Sequence, residues 1–210
     1  MPFSYKKILS QVPPDYYERG TRGNFLQRLW HNRKWKNLEN LLGNATGKLL
    51  DIGCADGTIT RRIAENKLKL GVWGVDYYRK AIDYAKSKKS RAIFICSDAR
   101  KLPFKSNTFD FVTCIETLEH IPDNQKVLSE IYRVLKKKGT FIVIQDSDSM
   151  LFNLIWGFWT NWKGSVWRGA HVNCMKPDEL QDFLVKEGFK IKEKRMTHFR
   201  LEVSFKAHKK

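Results

Sequence analysis

Short apolar runs alternate with amphipathic stretches through the middle of the chain. The runs lie at residues 48–52, 70–75, 91–96, 109–115 and 140–144, and each predicts a strand. They are almost continuously apolar, which is typical of a parallel sheet covered by helices on both faces. Between them, helical spacing predicts helices from Thr58, at 78–88 and at 124–136, the last closed by the lysines before Gly139. The alternation predicts a doubly wound α/β fold.

The two ends of the chain depart from this alternation. An irregular arm at 1–23 leads to a helix that Asn24 caps and Gly43 ends. Near the other end, a helix begins at Pro177. Residues 198–206 then alternate strictly between apolar and polar side chains, which predicts a half-exposed antiparallel hairpin at the sheet's edge.

We expect a single domain with four parts. Residues 1–46 form an N-terminal arm and helix, and residues 47–149 form the ligand-binding core. Residues 150–175 are an aromatic-rich insertion, and residues 176–210 form a C-terminal helix and hairpin. A length of 210 residues is in the range of one domain with additions.

The first strand runs into a turn of small residues, Gly53-Cys54-Ala55-Asp56-Gly57, that opens a helix. Backbone N–H groups at such a helix start bind small anions, including carboxylates. The spacing is one residue shorter than a dinucleotide fingerprint, and the turn has no lysine where a phosphate loop needs one. It therefore predicts a nucleoside ligand that lacks a pyrophosphate.

Four acids fall at the predicted ends of strands: Asp51, Asp76, Asp98 and Glu116. Ligands of a doubly wound sheet bind in the crevice beyond these ends. Asp76 follows the turn by some 20 residues, the spacing at which an acid accepts hydrogen bonds from ribose hydroxyls. The acids therefore predict a nucleoside site along this rim.

Five segments carry a family resemblance: LLDIGCADG, GVD, SDARKLPF, FDFVTCIETLEHIPD and LSEIYRVLKKKGTFIVI. They resemble successive motifs of class I S-adenosylmethionine-dependent methyltransferases, in particular the group that acts on small molecules and lipids and includes quinone-biosynthesis enzymes. The resemblance covers about residues 47–145 and resumes at 171–189. It implies a Rossmann-like, mostly parallel sheet of seven strands with an antiparallel C-terminal edge strand. It also implies S-adenosylmethionine as cofactor and S-adenosylhomocysteine as product.

The resemblance also implies roles for individual residues. Asp51 and Gly53 would hold the methionine end of the cofactor. Cys54, Ala55 and Gly57 of the same turn would also bind the cofactor, although the family usually has glycine at position 55. Asp76 would hold the ribose. Tyr77 would lie against the adenine, Asp98 would face its amino group, and Ala99 would supply a backbone N–H. Glu116 would sit where the fourth strand opens toward the methyl group.

A general base is needed only where the methyl acceptor keeps its proton at neutral pH. His120 and His171 are the candidates for this role, and a structural role remains open for both. Glu119 either orients His120 or caps the following helix. The N-terminal arm resembles the lid of this family, which implies that Tyr17 approaches the transferred methyl and that Arg19 and Arg22 meet the cofactor's carboxylate.

The insertion at 150–162 is apolar around most of its circumference but too short to span a bilayer. Three interpretations remain: a lid over an apolar substrate pocket, a segment that dips into a membrane interface, and a dimer patch. All three favour a small, apolar or lipid-like methyl acceptor.

The net charge of +17 and pI near 9.8 favour phosphate-rich partners, either nucleic acid or an anionic membrane. RNA methylation is therefore one alternative, although the chain has no appended RNA-binding module. A cofactor-binding protein without catalysis is another. The sequence contains no C-x-x-C pair, so it predicts no metal site. We see no signal peptide, and expect a cytoplasmic protein with peripheral membrane contact.

Overall fold

Seven strands form one sheet in this computed structural model, which describes residues 11–162, 165–167 and 169–210. The order across the sheet is β3-β2-β1-β4-β5-β7-β6. Strand β7 runs antiparallel to both of its neighbours, β5 and β6, and the other adjacent pairs are parallel. The strands are β1 (Gly47–Ile52), β2 (Leu70–Asp76), β3 (Ile93–Cys96), β4 (Phe109–Ile115), β5 (Leu135–Asp146), β6 (Phe189–Thr197) and β7 (Glu202–Lys209). The predicted fold class is confirmed.

Helices cover both faces of the sheet. They are α1 (Tyr16–Thr21), α2 (Phe25–Leu42), α3 (Thr58–Asn66), α4 (Arg79–Ser87), α5 (Asn124–Val134), α6 (Met150–Trp162) and α7 (Pro177–Lys186). Single 3₁₀ turns lie at Leu118–His120, Ser165–Trp167 and His198–Arg200. Asn24 begins α2 as predicted, because its side chain accepts from the Gln27 backbone N–H while Gln27 bonds back to Asn24. No helix of the described residues is both long and apolar enough to cross a membrane.

The sheet divides the apolar interior into two main layers. On one face, α5 and α7 pack against β4, β5 and β7, with Leu128, Ile131 and Leu184 fully buried. On the other face, α2 and α3 cover β1, β2 and β5 through Leu38, Leu41 and other side chains. Covered faces explain the continuous apolar runs of the parallel strands.

Two predicted boundaries are corrected. The lysines at 136–138 do not close α5. The helix ends at Val134, and Leu135 already has extended backbone angles and pairs with Phe109 in the sheet. The arm also contains a short helix, α1, where an irregular segment was predicted. Only part of this arm falls in the described range, since residues 1–10 lie outside it.

The last strand is also not the half-exposed edge strand that its alternation predicts. β7 lies between β5 and β6, and its first four residues are buried. The predicted hairpin is present, but β6 takes the outer position. Residues His198–Arg200 form a 3₁₀ turn that joins the two strands. Alternating apolar and polar side chains indicate a half-exposed strand only where the polar face meets water. Here α2 covers the polar face of β7, and the Ser204 hydroxyl accepts a hydrogen bond from the Asn37 side chain.

A buried lysine joins α2 to the rim of the sheet. Lys34 is 2% exposed and forms ion pairs with Glu116 after β4 and, at 3.4 Å, with Glu202 of β7. Burial opposes its charge, but the two carboxylates and Asp146 outweigh that effect and raise the pKa of Lys34 above its usual value. The ammonium group therefore stays charged and pairs with two carboxylates, Glu116 and Glu202.

Replacing Lys34 by methionine should strongly destabilise the fold. Without the ammonium group, Glu202 becomes an uncompensated charge at a fully buried position, so we expect a loss of about 2–4 kcal/mol in the free energy of unfolding. Urea unfolding followed by circular dichroism measures it. The exposed Lys36 of the same helix gives a matched control, since K36M should change stability by less than about 0.5 kcal/mol. Equal effects of the two substitutions would contradict the role of Lys34.

Candidate active site

A cavity of about 220 Å³ opens at the C-terminal ends of the parallel strands. The turn after β1, the ends of β2 and β4, and the N-terminal arm form its walls. Most of the predicted site residues line it: Tyr17, Gly53, Ala55, Asp76, Tyr77, Asp98, Ala99, Glu116 and His120. Asp51, Cys54, Gly57 and His171 are not among its lining residues. The strand ends therefore bring together most of the predicted set, as expected for this topology.

The turn after β1 depends on residues with left-handed backbone angles. Gly53 and Gly57 both have φ of 73°, which glycine adopts without strain. A Cβ on Gly53 would collide with Thr117, and one on Gly57 would lie 2.7 Å from the Phe94 ring. Ala55 has φ of 46°, so the alanine at this position holds a conformation that glycine adopts more easily.

Asp76 joins this turn to the end of β2. One carboxyl oxygen accepts from the Ala55 backbone N–H at 2.9 Å, and the other accepts from the Tyr78 N–H at 2.8 Å. Burial raises the pKa of Asp76, against the lowering effect of these N–H donors. Each carboxylate oxygen can accept more than one hydrogen bond. Asp76 is thus held rigidly at the cavity wall with acceptor capacity left for a ligand.

Asp51 has a structural position. Its carboxyl accepts from the hydroxyls of Thr60 at 2.6 Å and Thr113 at 2.8 Å. Burial raises its pKa to about 6. Cys54 is likewise directed inward, packing with Phe94. The side chains of Asp51 and Cys54 therefore support the turn from the protein interior. Their contact with a cofactor stays a prediction.

The outer end of the cavity is formed by Tyr77, Asp98 and Ala99. The ring of Tyr77 is 43% exposed. The Asp98 carboxylate pairs with Arg100, with its shortest contact 2.6 Å from the guanidinium. This end therefore combines a flat aromatic side chain, an oxygen acceptor and backbone groups. Such a set suits a planar heterocycle that carries an amino group.

The inner end of the cavity is formed by Glu116, His120 and Trp167. The His120 Nδ1 lies 3.0 Å from the Ala170 carbonyl oxygen. Because a carbonyl only accepts, Nδ1 carries the proton and Nε2 carries the lone pair in the neutral ring. Burial lowers the pKa of His120, so the ring is neutral at pH 7.

His171 lies in a second layer behind His120. The two rings are 4.8 Å apart, and His171 stacks on Trp156 at 4.2 Å. Its Nε2 is 3.6 Å from an Asp146 carboxyl oxygen. Burial lowers the pKa of His171 to about 3, so its ring is neutral at pH 7 and forms no ion pair with Asp146, whose own pKa burial raises. His171 thus packs the aromatic layer behind the cavity.

The N-terminal arm lines one side of the cavity, and its role as a lid stays a prediction. Tyr16 and Tyr17 both line the cavity. The Glu18 backbone N–H donates to Asp56 at 2.8 Å, and the Tyr78 hydroxyl donates to the Val12 carbonyl at 2.9 Å. These bonds hold the arm against the turn and the end of β2.

The two arginines expected at the cofactor's carboxylate are engaged elsewhere. Arg19 pairs with Asp15 at 2.7 Å and Arg22 with Glu18 at 2.9 Å, and both side chains are mostly exposed. Local pairs one helical turn apart take these cations away from the cavity.

Sequence reasoning missed the roles of three residues. Asp56 anchors the arm, Trp167 walls the cavity and Lys34 pairs with Glu116. Asp56 was visible as an acid inside the turn, just before a helix start. Trp167 lies in the aromatic-rich insertion at 150–175, for which a lid over an apolar pocket was one interpretation. Lys34 lies far along the chain from Glu116, so no local pattern signals their pairing.

Glu119 is buried beside the inner end of the cavity. Its carboxyl makes no hydrogen bond of normal geometry within the described residues. It neither orients His120, which bonds Ala170, nor caps α5, which begins after Asp123. Burial outweighs the nearby backbone N–H groups and raises the pKa of Glu119 to about 8. The group is therefore largely protonated at pH 7.

Glu119 should make stability fall as pH rises. Between its ordinary pKa of 4.5 and about 8, the folded chain holds a proton that the unfolded chain has lost. The E119Q variant should therefore lose roughly 3 kcal/mol less stability than the parent chain between pH 5 and pH 8. Urea unfolding at both pH values measures this. The exposed Glu65 provides the control, and E65Q should follow the parent; an E119Q curve parallel to the parent would contradict the assignment.

Comparison with known proteins agrees with this geometry. Residues 50–143 match a family model described as a methyltransferase domain. A demethylmenaquinone methyltransferase of Thermotoga maritima is 25% identical over 177 residues, covering 75% of this chain and 77% of that protein. Another, of Lactococcus lactis, is 31% identical over 153 residues, covering 70% of this chain and 60% of that protein.

A solved structure shows the same fold. Magnesium protoporphyrin IX methyltransferase from Synechocystis, with bound S-adenosylhomocysteine, superposes with a TM-score of 0.72 at 19% identity. The match covers 93% of this chain and 94% of that one. Fold, family model and relatives agree with the motifs read from the sequence. Together these findings support an S-adenosylmethionine-dependent methyltransferase, an enzyme that uses that cofactor as methyl donor.

Proposed function

We propose that this chain methylates an oxygen, nitrogen or carbon atom of a small, apolar or lipid-like acceptor. The observation that carries this proposal is the aromatic inner end of the cavity, walled by Tyr16, Trp167 and His120. Behind it, Trp156 and Trp159 extend the same apolar cluster. Sites for apolar ligands are lined in this way, with few polar groups that fix orientation.

The cavity residues fit the cofactor in an extended pose. Asp76, held by two backbone N–H donors, would accept the ribose hydroxyls. Tyr77, Asp98 and Ala99 would receive the adenine. The left-handed turn at Gly53 would let the methionine end approach the backbone closely.

Bound S-adenosylmethionine supplies a methyl group already activated by a sulfonium. The protein therefore has mainly to align the acceptor and exclude water. The arm and the aromatic layer contribute to this, because Tyr16 contacts Trp167 at 5.4 Å between ring centroids. In this arrangement, Tyr17 at the same wall would approach the acceptor.

His120 is our candidate for a general base. Its Nδ1 carries the proton that the Ala170 carbonyl accepts, so Nε2 is the nitrogen whose lone pair would take a proton from an acceptor hydroxyl or acidic carbon. Its lowered pKa keeps the ring neutral and so ready to accept a proton at neutral pH. We assign His171 a supporting role, since it stacks behind His120.

The named relatives support an isoprenoid quinone precursor as one acceptor of this class. Two of them are called demethylmenaquinone methyltransferases. A quinone precursor of the kind that these names give would suit the aromatic wall of this cavity. We also propose a cytoplasmic location, with which the free cysteines Cys54, Cys96, Cys114 and Cys174 agree.

A labelled-methyl assay tests the function directly. The chain is incubated with methyl-labelled S-adenosylmethionine and a cell extract, and label is then counted in lipid, small-molecule and RNA fractions. We expect label in the lipid or small-molecule fraction. Label confined to RNA would overturn the proposed acceptor and favour the alternative that the net charge of +17 raises. No label in any fraction, with cofactor binding intact, would favour a non-catalytic binding protein.

Replacing Asp76 by alanine should abolish most of the cofactor affinity. The variant loses the ribose acceptor and the link between the turn and β2, so we expect affinity to fall by about 100-fold or more. Titration calorimetry with S-adenosylhomocysteine measures the change. The exposed Asp83 on α4 is the matched control, and D83A should bind like the parent chain. Unchanged affinity in D76A would refute the assigned cofactor site.

Replacing His120 by asparagine should lower kcat by about 100-fold, because the substitution removes the proposed base. Cofactor affinity should stay within about twofold of the parent chain, because no cofactor contact is lost. The companion variant H171N should have a smaller effect on kcat, since that ring lies in the second layer. Steady-state kinetics on the acceptor identified above separate the two. A larger loss in H171N than in H120N would reverse the assignment.

A further inference from the structure

The outer face of α6 exposes apolar side chains that helical spacing places together. Leu151, Leu154 and Ile155 follow the i, i+3, i+4 pattern of one helix face. Met150 is 92% exposed and Leu154 is 72% exposed. The helix contains no charged residue. Exposed apolar surface of this extent marks an interaction site.

The opposite face of the same helix already has a partner. Trp156 and Trp159 pack with Val12, Tyr16 and Trp167, which belong to the arm and the cavity wall. The exposed face is therefore not the buried side of an undocked helix. It is a second apolar surface, directed away from the cavity.

Cationic side chains adjoin the start of this helix. The Ser147 backbone N–H and hydroxyl donate to the carbonyls of Leu201 and Arg200, so α6 begins beside the 3₁₀ turn between β6 and β7. Phe199 of that turn is 81% exposed and lies 5.8 Å from the Arg33 guanidinium. Arg33 and Arg200 are both exposed.

Acidic residues are sparse on the same side. Helix α2 has no acid between Phe25 and Leu38, while Arg28, Arg33 and Lys36 are exposed on it. The exposed Phe25 and Leu26 lie in its first turn. Near the start of α6, the acid Asp148 accepts from the Asn153 side chain. Apolar side chains and cations therefore adjoin one another at this end of the molecule.

We propose that this surface, formed by the outer face of α6 with Phe199, Arg33 and Arg200, docks on an anionic lipid bilayer. An interfacial helix binds through buried apolar area together with attraction between cations and anionic headgroups. The apolar face of α6 supplies the buried apolar area, and the adjoining arginines supply the attraction to anionic headgroups. The helix is too short to cross the bilayer, so it lies in the interface.

The location of this surface deepens the proposed function, on which this step rests. Helix α6 would lie between the bilayer and the cavity wall, with Trp156 and Trp159 on its inner side. A lipid-like acceptor dissolved in the bilayer would then reach the cavity at its aromatic end. Docking and acceptor delivery would use the two faces of one helix.

Vesicle flotation tests the docking surface. The full chain is mixed with vesicles of phosphatidylcholine alone or of equimolar phosphatidylcholine and phosphatidylglycerol. We expect binding to the anionic vesicles, reduced about tenfold in the double variant M150Q/L154Q. A matched control is L68Q/V185Q, which removes exposed apolar side chains at the opposite rim of the sheet and should bind within about twofold of the parent chain. Equal binding by both double variants would overturn the proposal.

The arginines are tested separately. The variant R33Q/R200Q should bind anionic vesicles about tenfold more weakly than the parent chain at low salt, and binding of the parent chain should fall as salt is raised. Binding that is independent of both salt and these arginines would refute the electrostatic part of the proposal.

Two further measurements separate other outcomes. If the parent chain is a dimer by analytical ultracentrifugation, M150Q/L154Q is a monomer and neither binds vesicles, the surface joins two copies and the bilayer proposal fails. Calorimetry with S-adenosylhomocysteine checks that M150Q/L154Q remains folded and binds the cofactor. Vesicle binding without methylation of any lipid-like acceptor would overturn the proposed function alone, whereas such methylation without vesicle binding would overturn the docking proposal alone.

Discussion

The ion pairs of Lys34 hold together parts of the structure that are far apart in the chain. A single ammonium group on α2 balances Glu116 at the end of β4 and Glu202 at the start of β7. Bringing these acids into the interior without a cation would cost several kcal/mol. The position of Glu116 in the cavity wall therefore depends on a helix that precedes the whole sheet. Fold and site share one electrostatic constraint.

A second constraint acts at the turn after β1. Left-handed backbone angles at Gly53 and Ala55 direct the chain back to the end of β2, where Asp76 accepts the Ala55 N–H. Asp51 supports the same turn from the interior through two threonine hydroxyls. The two acids thus have different tasks, although each ends a parallel strand. Asp51 holds the turn, and Asp76 lines the cavity.

The aromatic cover lies over the inner end of the cavity. Tyr16, Trp156 and Trp167 belong to three different segments, yet they form one cluster with the arm and α6. This cover limits access of water to the inner end, where His120 is held neutral by burial. The same helix that closes the cavity also exposes an apolar face. Closure and surface recognition are therefore linked through one short element.

The sequence by itself determined the doubly wound sheet, the turn at 53–57 and the rim acids, because these follow from local periodicity, glycine positions and strand ends. It also indicated the cofactor. Only the tertiary structure decided that Asp51 faces inward, that β7 is an interior strand, and that Lys34 pairs with Glu116. Each of these depends on which distant segment covers a residue. Local sequence patterns carry no information about such long-range neighbours.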